Sequence, residues 1–68
     1  MALNPEELRN ANERVLEGEE RIAEQKERVA QLERHGGDDT AAAREMLVIL
    51  ENSQSLLVAR RDLLMRQK

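Results

Sequence analysis

Leu8, Val15, Ile22 and Val29 stand seven residues apart, and Ala11, Gly18, Gln25 and Leu32 fall between them in alternating steps of three and four. No other feature of the sequence restricts the fold so tightly. A 3.5-residue average step holds one stripe of a helix against a neighbouring helix, and it is out of phase with a strand, whose faces alternate every second residue. The flanks of the stripe are charged, with Arg14, Arg21 and Arg28 on one side and Glu19, Lys26 and Glu33 on the other. Glu17–Arg21 and Glu24–Arg28 have the four-residue spacing that favours ion pairs on an exposed helix surface. A helix bounded in this way buries a single narrow seam.

The ends of this helix are marked. Asn4 suits the N-cap, Pro5 the first helical position, and Glu7 the third residue of a capping box. Leu3 and Leu8 have the spacing of a hydrophobic staple. At the other end Arg34 and His35 complement the negative helix terminus, and Gly36 can take the left-handed conformation that closes a helix. The first helix is therefore expected over 5–35 and the connection over 36–39. Asp38, Asp39 or Thr40 can cap a second helix over 40–67, with Asp39 favoured because it directly precedes the Ala-rich start.

The second helix is apolar over a wider arc. Ala43, Leu50, Leu57 and Leu64 form one seven-residue column and Ile49, Leu56 and Leu63 another beside it. Met46 and Leu47 extend this face, and Val58 and Met65 lie toward its other edge. At about 100° per residue these positions exceed the stripe that a helix buries against one neighbour. A short connection sets the two helices antiparallel. Counting back from its middle brings Leu32 near Ala43, Gly18 near Leu57 and Ala11 near Leu64. Gly18 then reads either as a site of close approach for a facing leucine or as a tolerated helix defect costing about 1 kcal/mol relative to Ala.

The expected fold is all-α: one domain over 1–68, an antiparallel, coiled-coil-like two-helix hairpin. Two helices cannot enclose a core, and a chain of 68 residues without cysteine has no disulfide to compensate. The surplus apolar surface predicts a homodimer forming a four-helix bundle, with Ile49, Leu56 and Leu63 at the two-fold and Met46, Leu50, Leu57 and Leu64 completing the interface. A trimer, or another protein supplying the missing helices, satisfies the same surface. Polar residues interrupt the seams at Gln25, Ser53 and Arg60. They either fix register or reach water at the edge of the bundle.

No catalytic, cofactor or metal site is expected. The carboxylate pairs Glu6–Glu7, Glu19–Glu20 and Asp38–Asp39 lack the cleft that acid–base chemistry needs, and read as solvated faces and caps. His35 is the only imidazole and Cys is absent, so no zinc site can be completed. His35 reads as a helix terminator rather than a pH sensor, and Gly36–Gly37 lacks the spacing and Lys of a phosphate loop. The complete lack of Phe, Tyr and Trp removes the stacking platforms on which single-stranded nucleic acids are held. A small regulatory RNA- or DNA-binding bundle remains the alternative function, through Arg60, Arg61, Arg66 and Lys68. Against it stand the net charge of -3 and the ordinary preference for basic residues at helix C-termini. With no membrane span and no signal layout at the N-terminus, a cytoplasmic protein is expected. The preferred reading is a non-enzymatic protein-interaction module that self-associates through its second helix.

The run Gly18-Glu19-Glu20-Arg21-Ile22-Ala23-Glu24-Gln25, followed by Leu32-Glu33-Arg34-His35-Gly36 and by Asp39-Thr40 with Ala43 and Leu47, resembles a group of short, uncharacterised bacterial helical-hairpin proteins. The resemblance spans residues 18–50. It implies the hairpin and brings no activity with it. The paired Gly36-Gly37 and Asp38-Asp39 make the turn longer than in that group.

Overall fold

The computed structural model describes residues 5–67, which form two helices packed against each other: α1, Pro5–His35, and α2, Thr40–Arg66. The hairpin measures 54 × 14 × 11 Å, and its radius of gyration of 15.7 Å exceeds the ~11 Å expected of a compact domain of this length. It is a two-helix rod. Asn4 and Leu3, on which the expected capping box and staple depend, lie outside the described residues.

On α1 the heptad predicts burial position by position. Ala11, Val15 and Val29 are buried, and Leu8, Gly18, Ile22, Gln25 and Leu32 are half-buried; every other residue of the helix is exposed. The α2 seam has the same stepping: Ala43 and Leu64 are buried, and Thr40, Leu47, Leu50, Gln54, Leu57 and Arg61 are half-buried. Val58 and Asp62 are half-buried beside it. Two of these seam residues, Gln54 and Arg61, are polar and were not expected there. Ser53 and Arg60, read from sequence as seam interruptions, are each one residue away and exposed.

The register also departs from the count made from the middle of the turn. Gly18 faces Gln54, not Leu57: a Cβ built on Gly18 would overlap the Gln54 amide oxygen and lie 2.8 Å from its Cδ. The cause lies in the connection. Gly36 is left-handed, with φ 66°, and the Gly37 N–H donates to the Leu32 carbonyl at 3.2 Å, the long bond of a Schellman closure. The chain reverses at Gly36, and Gly37 already lies against the Leu32 side chain. With Gly18 opposite Gln54, the two series match along their whole length, from Leu32·Thr40 by the turn to Leu8·Leu64 at the open end. Gly18 leaves room for the long Gln54 side chain.

Two side-chain amides tie the helices in opposite directions. Gln25 Nε2 donates to the Ala43 carbonyl at 2.9 Å, and Gln54 Nε2 donates to the Val15 carbonyl at 2.8 Å. Each reaches from its own seam to the backbone of the other helix, so both bonds hold only in this register. The Gln54 oxygen is buried without a hydrogen-bond partner, directly over the Gly18 backbone. Of the expected surface pairs on α1, Arg21–Glu17 closes at 4.0 Å between exposed groups, a contact worth under about 1 kcal/mol. Glu24–Arg28 does not close. Arg44–Glu33, at 3.1 Å, crosses between the helices instead.

The start of α2 differs from expectation in its chemistry. Asp39 occupies the N-cap position but makes no side-chain cap bond, and its backbone, at φ -85° and ψ 2°, lies outside the extended region from which a cap reaches forward. The Thr40 hydroxyl turns back instead, donating to the Gly37 carbonyl at 2.7 Å. It secures the turn while leaving the leading amides of α2 without a side-chain cap. The helix ends at Arg66, one residue before the expected limit.

Candidate interaction surface

Beside the buried α2 seam, displaced by one residue and so by about 100° around the helix, runs a second series with the same stepping. Its members are Ala42, Met46, Ile49, Ser53, Leu56, Arg60 and Leu63, all exposed. The large apolar side chains among them keep much of their surface in water: Met46 46%, Ile49 57%, Leu56 74% and Leu63 58%. Such a stripe arises because α2 carries two adjacent apolar columns while a two-helix hairpin can cover only one.

The structure divides the residues expected at an interface into two sets. Leu50, Leu57 and Leu64 belong to the seam within the hairpin, where Leu64 is 8% exposed. Leu50 and Leu57 are only half-buried and keep part of their surface open, Leu50 lining a shallow groove beside Met46. Met46, Ile49, Leu56 and Leu63 form the exposed stripe. Ser53 and Arg60 lie on the same stripe and punctuate it with polar groups. The alternating step of four and three that joins Met46, Ile49, Leu56 and Leu63 also passes through them, so this spacing was the sequence signal for their position.

The same face of the hairpin carries a charged ladder from α1. One shallow groove is lined by Arg21, Glu24, Arg28 and Gln31 of α1 and by Met46 of α2. A second, near the open end, brings Glu7, Asn10 and Arg14 together with Arg60. The face is therefore half apolar and half charged, with alternating sign along α1. The opposite face holds Leu16, Val48 and Met65, separated by Lys26, Glu51 and the Arg44–Glu33 pair, and has no continuous stripe.

Among the described residues, the basic side chains near the C-terminus do not gather. Arg60 lies on the apolar stripe, whereas Arg61 turns into the hairpin seam, with Nε and Nη2 3.4 and 3.3 Å from the neighbouring Asp62 carboxylate. Arg66 is exposed on a third side, roughly 120° from each of the others. Lys68 lies outside the described residues. His35 is the exposed last residue of α1, and the Glu6–Glu7, Glu19–Glu20 and Asp38–Asp39 pairs are exposed. Among the described residues no group of His, Cys, Asp or Glu side chains is placed to hold a metal ion, and no helix is long and apolar enough to cross a membrane.

Comparisons with protein-family models, with curated proteins and with solved structures find no match to this chain.

Proposed function

We propose that this protein is a non-enzymatic interaction module that self-associates through the exposed stripe of α2, two hairpins combining into a four-helix bundle. The observation that carries this reading is the repetition of one spacing. Met46, Ile49, Leu56 and Leu63 stand at the same heptad steps as the seam that already holds α1 to α2, yet they face water. Periodic apolar exposure of this kind marks a surface meant for another helix. The hairpin itself is thin. Only Ala11, Val15, Val29, Ala43 and Leu64 are buried among the described residues, and Val15 alone is fully enclosed, at 1%. Each large stripe residue gains about 1–2 kcal/mol when its exposed surface is covered, so association stabilises a chain whose own core is small.

The RNA- or DNA-binding reading loses support from the scatter of Arg60, Arg61 and Arg66 around α2, since a phosphate track needs its cations on one side. Molar mass by light scattering after size exclusion, with refractive-index detection because there is no Tyr or Trp, tests the proposal. A mass of two 7.8 kDa chains is expected. A single-chain mass persisting to about millimolar concentration, where even a contact worth only about 4 kcal/mol would show, sinks it.

A further inference from the structure

The α2 stripe has a centre, and that centre is Ser53. Three stripe positions precede it and three follow, and the residue itself sits at the midpoint of Thr40–Arg66. Resting on the self-association proposed above, we infer that the occupant of this face is a second copy of the chain, antiparallel, related by a two-fold axis that crosses α2 at Ser53. Ile49 then packs on the partner's Leu56, and Ala42 on the partner's Leu63. Met46 lies along the aliphatic stem of the partner's Arg60, whose guanidinium can reach the rim. Ser53 meets the partner's Ser53, where two small side chains let the helices approach.

The ladder on α1 supplies an independent reason for this symmetry. The axis that sets α2 on its own copy also sets α1 on its own copy, and the hairpin register fixes which levels meet. Arg14 falls opposite the partner's Glu24, and Glu17 opposite the partner's Arg21. At the outer levels Asn10 falls opposite the partner's Arg28 and Glu7 opposite the partner's Gln31, each a charged residue against a neutral one. No like charges are opposed anywhere along the ladder. The other two-fold, parallel to the helices, lays the apolar stripe of α2 across the partner's charged ladder and strips water from those charges without pairing them. Complementary charge against charge and apolar against apolar therefore select the antiparallel arrangement.

The lack of cysteine in the chain makes single-cysteine cross-linking a clean test. Ser53→Cys and Leu63→Cys are prepared separately in the full chain, checked for helicity by circular dichroism and for mass by light scattering, then oxidised and run on non-reducing gels. Ser53→Cys is expected to form a covalent dimer and Leu63→Cys to remain uncross-linked, because the two Leu63 residues lie at opposite ends of the bundle. An Ala42→Cys chain mixed with a Leu63→Cys chain is expected to give the mixed disulfide. Ready cross-linking of Leu63→Cys to itself overturns the antiparallel pairing. A dimer by mass in which Ser53→Cys resists oxidation overturns the position of the axis, with self-association left standing. A single-chain mass overturns both, and a three-chain mass overturns the two-fold. As a second variant, Arg14→Glu is expected to weaken the dimer about tenfold or more, and Arg14→Glu with Glu24→Arg to restore it. Failure of the paired exchange to restore association removes the ladder from the interface.

Discussion

Adding one methyl group at Gly18 tests the register of the whole hairpin. On its own helix, Gly18→Ala should stabilise by about 1 kcal/mol, because alanine loses less backbone freedom than glycine in a helix interior. In this structure the methyl would occupy the place of the Gln54 amide, overlapping its oxygen and standing 2.8 Å from Cδ and 3.3 Å from Nε2. That amide is the end of a flexible side chain, so it can swing out toward solvent. The cost is the 2.8 Å bond from Nε2 to the Val15 carbonyl, a net ~1 kcal/mol. The oxygen loses no partner, since it has none in the folded chain. The two effects nearly cancel, and Gly18→Ala alone should change stability by less than about 0.5 kcal/mol in either direction. With Gln54→Ala already in place, the same methyl enters vacated space and its full gain of about 1 kcal/mol returns. The cycle thus carries a coupling of about 1 kcal/mol. Urea unfolding followed by far-ultraviolet circular dichroism, at one protomer concentration so that association does not vary between variants, measures it. Equal stabilisation by Gly18→Ala in both backgrounds would falsify the contact. If coupling appeared instead with Leu57→Ala, the helices would be one turn out of the register described above.

Three further outcomes follow from single residues. Leu56 is 74% exposed and recurs twice in a dimer, so Leu56→Ala removes about 3.5 kcal/mol of apolar burial and raises the dimer dissociation constant by about 300-fold. Sedimentation equilibrium reads this directly, and a loss of helicity in the dilute monomer would show instead that Leu56 supports the hairpin. Gln25→Ala gives up the 2.9 Å bond to the Ala43 carbonyl and should destabilise by about 0.5–1 kcal/mol in urea unfolding; no change would mean the amide is satisfied equally well by water. Gly36→Ala forces a side chain into φ 66° and should cost about 1 kcal/mol, a fall of several degrees in thermal midpoint for a chain this small. An unchanged midpoint would remove the left-handed closure from the account of the turn.

The span and buried stripe of the first helix were legible because one heptad series runs through it against a charged background, leaving no second stripe to compete. The second helix was only partly legible. Both of its columns, Ala43–Leu50–Leu57–Leu64 and Ile49–Leu56–Leu63, are apolar, and the first packs on α1 as expected, but the same seam also takes the polar residues Gln54 and Arg61. That choice depends on what α1 presents. Gly18 leaves room for the Gln54 side chain, and the Val15 carbonyl accepts its amide, neither of which is visible from α2 alone. The register was missed for a different reason: a four-residue connection suggests a symmetric reversal, whereas the chain turns at Gly36 itself. Asp39 held the expected position without the expected bond, its backbone with ψ near zero lacking the extended geometry of a capping residue. The apolar column that the hairpin is expected to leave over, Ile49–Leu56–Leu63, is the one that stands exposed.

The single closed end at Gly36 has a kinetic consequence. Chain closure becomes steadily more demanding with distance from the turn: Leu32 and Thr40 meet across a short loop, whereas Leu8 and Leu64 must enclose nearly the whole chain. Such a hairpin should zip from the turn outward, with the Gln25–Ala43 bond reached early and the Gln54–Val15 bond late. Fraying then belongs to the open end, and native-state amide exchange should run faster around Leu8 and Leu64 than around Val29 and Ala43. Equal protection at both ends of the isolated hairpin would count against this order. A partner laid along α2 in the opposite direction brings its own closed turn beside this open end, so each copy would clasp the loose tips of the other.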